Sequence, residues 1–327
     1  MSKFQISVAL CTYNGARFLP EQLASIATQA KLPDELVVCD DGSTDESAEI
    51  VRNFARNVRF PVRLEVNERN LGSIKNFEKA IGLCRGEIVA LADQDDVWKD
   101  QKLSKLCIAL QENPRAGYAF SNAELIDERG SRLGLNLWNS VRFHGTLQNG
   151  FFETGQVASL LKRAAVTGAT LAFRANLKDI LLPVSPCFVH DYWISLLASC
   201  VGWYGVPVPE PLIEYRQHEG QQIGVRRRSV AEKIRWIREA GSAEHTNRTK
   251  GFKDLRERLL VAAAKGWTCP AGHMALIEEK IVHSSQRAAA HSKRGAAKVT
   301  RVFSEVLTGR YARYSNSWAS VFEDLCF

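Results

Sequence analysis

No stretch of about 20 residues in this chain is continuously apolar and free of charge, the length a helix needs to cross a bilayer. The eight cysteines, at 11, 39, 84, 107, 187, 200, 269 and 326, include no C-x-x-C pair. Most sit inside apolar runs and read as reduced core thiols, not as a disulfide framework. Seven histidines without close Cys or His partners argue against a structural zinc site. No G-x-G-x-x-G follows the first strand-like run, and no G-x-x-x-x-G-K-[ST] occurs, which argues against a dinucleotide-binding Rossmann enzyme and a Walker-type ATPase. The opening residues lack the basic segment, apolar core and cleavage site of a secretory leader, so the expected location is cytoplasmic.

What is present is an ordinary globular composition. The 327 residues are 45% hydrophobic and 24% charged, enough for one large domain or a domain with an appendage, and too apolar for disorder throughout. The net charge of +7 is unevenly spread. Residues 1–224 carry 23 Lys and Arg against 26 Asp and Glu, a net of −3, while 225–327 carry 20 against 10, a net of +10. The expected division follows this break: a catalytic domain over 1–224 and a basic helical extension over 225–327. The extension opens on Arg226-Arg227-Arg228 and mixes Arg and Lys with Ile234, Trp236, Ile237, Leu255, Leu259 and Leu260. Solvated helices packed on the catalytic domain are one reading. Attachment to an anionic membrane surface is the other, at roughly 1 kcal/mol for each nearby basic residue. Nucleic acid is not an expected partner, because the net-negative first 224 residues offer no basic groove with interleaved aromatics.

Through the first hundred residues short β-branched runs alternate with helical patterns, the signature of a mostly parallel α/β sheet. Strands are expected at Phe4–Leu10, Glu35–Cys39, Val62–Val66, Glu87–Ala92 and Gly117–Ser121. Ser43-Thr44-Asp45-Glu46 has capping-box spacing for the helix after the second strand. Residues 122–154 read as irregular or hairpin structure, followed by a helix near 156–163 and an apolar, strand-like run from Ala165 to Phe173. A further helix is expected just after His190-Asp191.

Ligands of open α/β sheets bind beyond the carboxyl ends of the strands. Three polar clusters fall there: Cys11-Thr12-Tyr13-Asn14, Asp40-Asp41-Gly42-Ser43 and Asp93-Gln94-Asp95-Asp96. Three carboxylates within four residues repel one another unless a cation is shared, which suits Mg²⁺ or Mn²⁺ and, through the ion's open positions, a nucleotide diphosphate. A solvated acidic turn capping the next helix is the alternative that the spacing leaves open. With Ser43 capping its helix, Asp41 is expected to accept a hydrogen bond from a base or ribose. Tyr13 suits either core packing or stacking on a base.

Together these segments resemble a bacterial family 2 glycosyltransferase with a GT-A fold. The resemblance runs from Ile6 through Gly15, Asp40 through Asp45, Asn70-Leu71-Gly72 and Asp93 through Trp98. It continues in Thr167-Gly168-Ala169, His190-Asp191-Tyr192-Trp193 and Tyr215-Arg216-Gln217-His218. The D-Q-D-D-V-W and H-D-x-W forms are similar to a rhamnosyltransferase-like branch that builds O-antigen, capsule or cell-wall polysaccharide. Where many relatives have Glu-Asp, this chain has His190-Asp191.

The resemblance implies inverting transfer from a dTDP-L-rhamnose or UDP-hexose donor to a glycan acceptor, which can be lipid-diphosphate-linked. It implies Asp191 as general base and Asp93, Asp95, Asp96 and His218 around the metal. Cys11, Thr12, Tyr13, Asn14, Asp40, Asp41, Asp93, Gln94, Asp95 and Arg216 are the implied donor residues, with Arg216 pairing a phosphate oxygen. Gly168, His190 and Trp193 are the implied acceptor-side residues, His190 as a capping or supporting group and Trp193 mainly in packing. The competing classes are a nucleotidyltransferase, which would carry a glycine- and basic-rich phosphate loop near residue 11, and a non-catalytic sugar-nucleotide-binding scaffold, which would have lost Asp191 or the acidic cluster.

Overall fold

The computed structural model describes residues 4–145, 148, 149, 151, 155–221 and 230–326, with only the helical path considered over 230–242. The first half alternates β1 (Ile6–Thr12), α1 (Leu19–Ala27), β2 (Glu35–Asp40), α2 (Ser47–Ala55), β3 (Val62–Val66), α3 (Ser73–Leu83), β4 (Ile88–Ala92), the short β5 (Val97–Trp98) and α4 (Lys102–Glu112). There follow β6 (Ala116–Ile126), β7 (Arg132–Asn136), α5 (Leu137–Ser140), α6 (Gln156–Lys162), β8 (Leu171–Arg174), α7 (Lys178–Leu181), α8 (His190–Cys200) and β9 (Tyr204–Arg216). The basic third forms α9 (Val230–Ala264), α10 (Ala271–His291), α11 (Gly295–Leu307), α12 (Arg310–Tyr314) and α13 (Trp318–Cys326).

The strands form one sheet in the order β3-β2-β1-β4-β8-β6-β9-β5, with β7 paired to β6. The first four in that order are mutually parallel, and β6 pairs β9 in parallel, while β8, β7 and β5 run antiparallel to their neighbours. Every residue of β1, β2 and β4 is buried, as expected of central strands covered on both faces. Side chains alternate between two apolar layers. Ala9, Val37, Val89 and Leu91 face Phe77 and Ile81 of α3 and Leu196 of α8, whereas Val8, Leu10, Leu36 and Val38 face Leu23 of α1 and Leu106 of α4.

Three local expectations change. The helix after β2 starts at Ser47, not at Ser43, because Asp45 Oδ1 accepts both the Ser47 N–H (3.0 Å) and hydroxyl (2.6 Å). Ser43 instead donates its N–H and hydroxyl to Asp40 (2.8 and 2.5 Å), forming a turn closed by a carboxylate. The run from Ala165 to Phe173 is a strand only from Leu171; a 3-10 turn occupies Gly168–Thr170. A continuous apolar run cannot by itself distinguish a buried strand from a buried turn. Residues 122–136 do form a hairpin, whose turn is held by Asp127 Oδ1 accepting from Arg129 and Ser131 N–H, both at 2.8 Å.

The C-terminal helices share the core of the sheet body: Phe252, Leu255 and Leu259 of α9 and Ile277 of α10 belong to the same apolar cluster as Trp193. Leu260 is exposed. Arg226-Arg227-Arg228, the expected boundary at 224/225 and the side chains of Ile234, Trp236 and Ile237 lie outside the described residues. Among the described residues no helix is long and apolar enough to cross a membrane.

The extension is tied together by Asp324, which is fully buried. Its carboxylate accepts both Arg287 nitrogens at 2.6 Å, the Tyr311 hydroxyl at 2.5 Å and His291 Nε2 at 3.0 Å. His245, His291 and Asp324 bring their ligating atoms within 4.8 Å of one another, but the Arg287 guanidinium already neutralises the carboxylate, and the cluster is complete as an ion-pair network. Burial opposes the Asp324 charge, yet the hydrogen bonds from His291, Arg287 and Tyr311 outweigh it and hold the carboxyl well below the usual range. Because the folded value is depressed, this stabilisation is present above the unfolded carboxyl value of about 3.9 and is lost as pH falls from there toward the folded one. Asp324→Asn leaves the buried Arg287 with only the longer 3.6 Å pairing to Glu323 and is expected to cost about 3 kcal/mol. Chemical denaturation at neutral pH and at pH 3 checks both points: the variant's deficit shrinks in acid.

Candidate active site at the carboxyl edge of the sheet

Because β1, β2 and β4 are parallel, the loops that follow them meet at one edge, and a cavity of about 330 Å³ opens there. Cys11, Thr12, Tyr13, Asp41, Asp93, Gln94 and Asp95 line it, with Gly168, His190 and Asp191 on the opposite side. Gln94 couples two of the loops. Its Oε1 accepts from the Thr12 hydroxyl (2.8 Å) and the Tyr13 N–H (2.7 Å). Gly15 packs so closely here that a Cβ would lie 2.4 Å from Gln94 Oε1, which requires glycine. Tyr13 remains 44% exposed at the cavity rim, leaving its ring face available.

Several expected donor contacts are occupied within the protein. Asp41 lines the cavity, yet its carboxylate already accepts from Asn67 Nδ2 and from the Leu71 and Gly72 N–H groups at 2.8–2.9 Å. It therefore shapes the Asn70-Leu71-Gly72 loop while lining the cavity, and Oδ2, which takes a single donor, keeps acceptor capacity. Asp40 is buried beneath the cavity, bonded to Ser43. Asn14, at φ 47, takes the Ser43 hydroxyl with its N–H and the Thr44 N–H with its Oδ1, both at 2.8 Å, joining the first two loops without lining the cavity.

Arg216 is also absent from the cavity wall. Only 2% exposed, it donates from Nε to the Asp95 carbonyl (2.8 Å), from Nη1 to the Asp127 and Glu128 carbonyls (3.4 Å) and from Nη2 to Glu21, with its guanidinium 4.8 Å from the Phe18 ring centre. With its donors so engaged, it braces the acidic loop and does not reach a phosphate. Trp193 is likewise buried in packing, its Nε1 donating to the Leu181 carbonyl at 2.8 Å, and it does not face an acceptor.

The acidic cluster divides in two. Asp93 and Asp95 line the cavity, and His218 Nε2 lies 2.8 Å from Asp95 Oδ2. Asp96 turns inward, accepting the Arg216 N–H at 3.0 Å, with its second oxygen unpartnered among the described residues. Burial, reinforced by the Asp95 and Asp191 charges, pushes the Asp93 carboxyl up to about 7. Excess negative charge is thus concentrated at a site that faces a cavity, and oxygen donors with one imidazole suit a hard divalent cation. Asp95 and His218 are in contact and Asp93 lines the same cavity, but their ligating atoms do not gather into a three-residue cluster, which among the described residues only His245, His291 and Asp324 do; Asp96 turns away behind them.

Lys102 is the residue that sequence reasoning missed. Fully buried, it donates to the Ala169 carbonyl at 2.6 Å and sits 3.4 Å from the Trp98 ring centre. Burial holds its pKa well below the ordinary lysine value, with the Asp96 and Asp93 charges pulling the other way. A lysine in the first turn of an amphipathic helix carries no sequence signal that separates it from a solvated one.

On the opposite side α8 begins at His190, so Asp191 occupies a helical first turn, where the dipole favours a carboxylate. Asp191 Oδ2 accepts the Gly168 N–H at 2.8 Å and Oδ1 the Tyr192 N–H at 2.6 Å. The His190 ring stacks on Phe77 at 3.9 Å, both its nitrogens unpartnered among the described residues, and burial lowers its pKa. It is therefore neutral near pH 7. A Cβ on Gly168 would meet His190 Nε2 at 2.8 Å, so the glycine is required for this approach. Asp191, together with Thr167, Val189 and Tyr215, also borders a second cavity of about 1050 Å³. One carboxylate thus faces two compartments.

The model of the glycosyl transferase family 2 matches residues 7–176. An uncharacterized glycosyltransferase of Nostoc is 24% identical over 216 residues, covering 65% of each chain. A putative teichuronic acid biosynthesis glycosyltransferase of Bacillus subtilis, TuaG, is 24% identical over 213 residues, 64% of this chain and 78% of its own. The chain spans less than two thirds of the first of the curated relatives it matches, 65% for the Nostoc protein and 59% for an uncharacterized Mycobacterium tuberculosis protein. Among solved structures, S. aureus TarS 1–349 superposes with a TM-score of 0.57 at 17% identity, covering 86% of this chain and 71% of that one. The mannosyltransferase PcManGT of Pyrobaculum calidifontis, in complex with GDP-Man and Mn²⁺, gives 0.55 at 17% identity over 99% of this chain and 86% of its own. Both carry the GT-A fold that the family resemblance implies. With its amino-terminal half matched by the family and its strands converging on an acidic cavity, the chain belongs to glycosyl transferase family 2.

Proposed function

We propose that this protein transfers a sugar, with inversion, from a nucleotide-diphosphate donor to a hydroxyl of a growing surface glycan. The observation that carries the reading is Asp191, oriented by the Gly168 N–H at the junction of the two cavities. In this scheme the donor fills the smaller cavity and the acceptor the larger. Asp191 takes the proton of the acceptor hydroxyl, whose oxygen attacks the anomeric carbon from the face opposite the leaving nucleotide diphosphate. A divalent cation, Mg²⁺ or Mn²⁺, held by Asp93, Asp95 and His218 would neutralise the departing diphosphate. Tyr13 offers a ring face for the base, and Thr12 and Gln94 hold the loop that presents it. His190, neutral and packed on Phe77, fixes the position of Asp191 by filling the space beside Gly168.

The family resemblance favours a dTDP-L-rhamnose or UDP-hexose donor, and the fold neighbours carry UDP-GlcNAc or GDP-Man. An O-antigen, capsule or cell-wall glycan is the acceptor class, and the TuaG likeness supports a cell-envelope product. In this reading residues 1–224 perform the transfer, and 225–327 hold the enzyme at the cytoplasmic face of the membrane. Two exposed apolar stripes support the attachment: Val299, Phe303 and Leu307 at four-residue spacing on α11, and Trp318 and Phe322 on α13. An exposed apolar helix face in a basic segment suits an interfacial position on anionic lipid.

Asp191→Asn is expected to abolish transfer while donor binding, measured by calorimetry, stays near wild type; retained turnover would refute the assignment of the base. Asp93→Asn and Asp95→Asn are each expected to remove the Mn²⁺-dependent part of the thermal shift given by UDP or dTDP. A wild-type shift that is equal with Mn²⁺ and with a chelator would rule out the metal assignment. In flotation with anionic vesicles at low salt, the wild type should co-float and Phe303→Asp with Trp318→Asp should not. A wild-type protein that stays in the soluble fraction would contradict the attachment.

A further inference from the structure

The two sides of the smaller cavity stand on different parts of the sheet. Asp93 and Asp95 follow β4, whereas Asp191 is held by the turn at Gly168–Thr170 that precedes β8. β4 and β8 pair antiparallel, Ile88 with Arg174, Val89 with Phe173 and Ala90 with Ala172, and the ladder stops there. Strand pairing therefore does not join the last residues of β4 to the turn, although the first carry the acidic loop and the second supports Asp191.

One side chain spans that gap. Lys102, in the first turn of α4, donates from Nζ to the Ala169 carbonyl at 2.6 Å, and the Leu91 carbonyl of β4 lies 3.5 Å from the same nitrogen. Ala169 is the middle residue of the turn, and the Gly168 N–H beside it donates to Asp191 Oδ2 at 2.8 Å. The Thr170 hydroxyl and N–H close the turn on the Thr167 carbonyl at 2.7 and 3.0 Å, so its residues are displaced together. Lys102 is fully buried, and the Trp98 ring centre 3.4 Å from its nitrogen fixes where that nitrogen sits. An amine donates hydrogen bonds whether or not it is charged, so the tie does not depend on its protonation. Burying a basic group is costly, and an apolar side chain of the same volume would fill the space without that cost. What the apolar side chain would lack is a donor for the two carbonyls.

We infer that Lys102 is a positioning residue for the general base: through the Ala169 carbonyl it fixes the turn whose Gly168 N–H orients Asp191, and so sets the base against the acidic loop. This rests on the reading of Asp191 as the base. Displacing a reacting group by about 1 Å can cost roughly a hundredfold in rate, so one buried hydrogen bond behind the turn has leverage on transfer without touching a substrate.

The test follows the Gly168 amide by NMR in the full chain labelled with ¹⁵N-glycine, as wild type, Lys102→Met and Asp191→Ala, the last showing the turn without its acceptor. Lys102→Met is expected to move the Gly168 amide proton upfield, toward its position in Asp191→Ala, and to speed its hydrogen exchange roughly tenfold or more. Affinity for UDP or dTDP with Mg²⁺, measured by calorimetry, should stay within about tenfold of wild type in the same variant. A Gly168 amide unmoved in Lys102→Met would overturn the inference. A greater loss of nucleotide affinity would also overturn it, by assigning Lys102 to the acidic loop. Should Lys102→Met fail to fold, Lys102→Gln, whose shorter side chain stops short of the Ala169 carbonyl, carries the same expectation. An Asp191→Ala variant that keeps turnover would remove the reading of the base and leave the link from Lys102 to Gly168 standing. If neither nucleotide binds the wild type, that counts against the donor cavity, and the Gly168 amide decides this inference alone.

Discussion

Repulsion among the carboxylates at the sheet's carboxyl edge is the constraint around which this molecule is organised. Asp93, Asp95, Asp96 and Asp191 lie near enough to raise one another's or a neighbour's proton affinity. The fold places a buried lysine and a buried arginine behind them. Lys102 stands behind Asp93 and Asp96, and Arg216 holds the loop through its backbone N–H to Asp96 and its Nε to the Asp95 carbonyl. Neither reaches the cavity, so the negative potential on the cavity side is left for a cation and the diphosphate it would accompany.

The same division of labour recurs in the loops. Residues that look like ligand contacts because they are polar and clustered are partly spent on holding the loops. Asp41 sustains the Asn70–Gly72 turn, Asp40 closes the Ser43 turn, and Asn14 ties the first loop to the second. What lines the cavities is smaller and more specific: the Tyr13 ring, the Asp41, Asp93 and Asp95 carboxylates, and Asp191 between the two. Preorganisation of this kind avoids an ordering cost when the ligand arrives.

Asp191 relates the body to the extension. It is held by a backbone N–H from the Gly168 turn, and that turn exists because β8 starts late, at Leu171. The helices of the extension share the core around Trp193 and Phe252 on the far side of α8. Their basic residues thus border the second compartment that Asp191 faces. The uneven charge of the chain follows the same lines, with carboxylates gathered at the smaller cavity and basic side chains beside the larger.

Much of this was legible in the residues. Buried parallel strands are nearly continuous apolar runs, so β1, β2 and β4 were found within one or two residues, the edge strand β3 was found by its alternation, and the carboxyl-edge rule pointed to loops that line the cavity. Asp93, Asp95, Gly168, His190 and Asp191 do meet at one cavity. Which polar residues face that cavity was not legible, because adjacent residues of one short motif point in opposite directions: Asp95 outward, Asp96 inward, and Arg216 into the protein beneath. Local order set by side-chain periodicity is encoded along the chain, and so the strands, helices and motif positions could be read from it. The partners of Asp41 and Arg216, the Lys102 bond to Ala169 and the second cavity depend on contacts between segments more than 25 residues apart, and only the tertiary packing decides those.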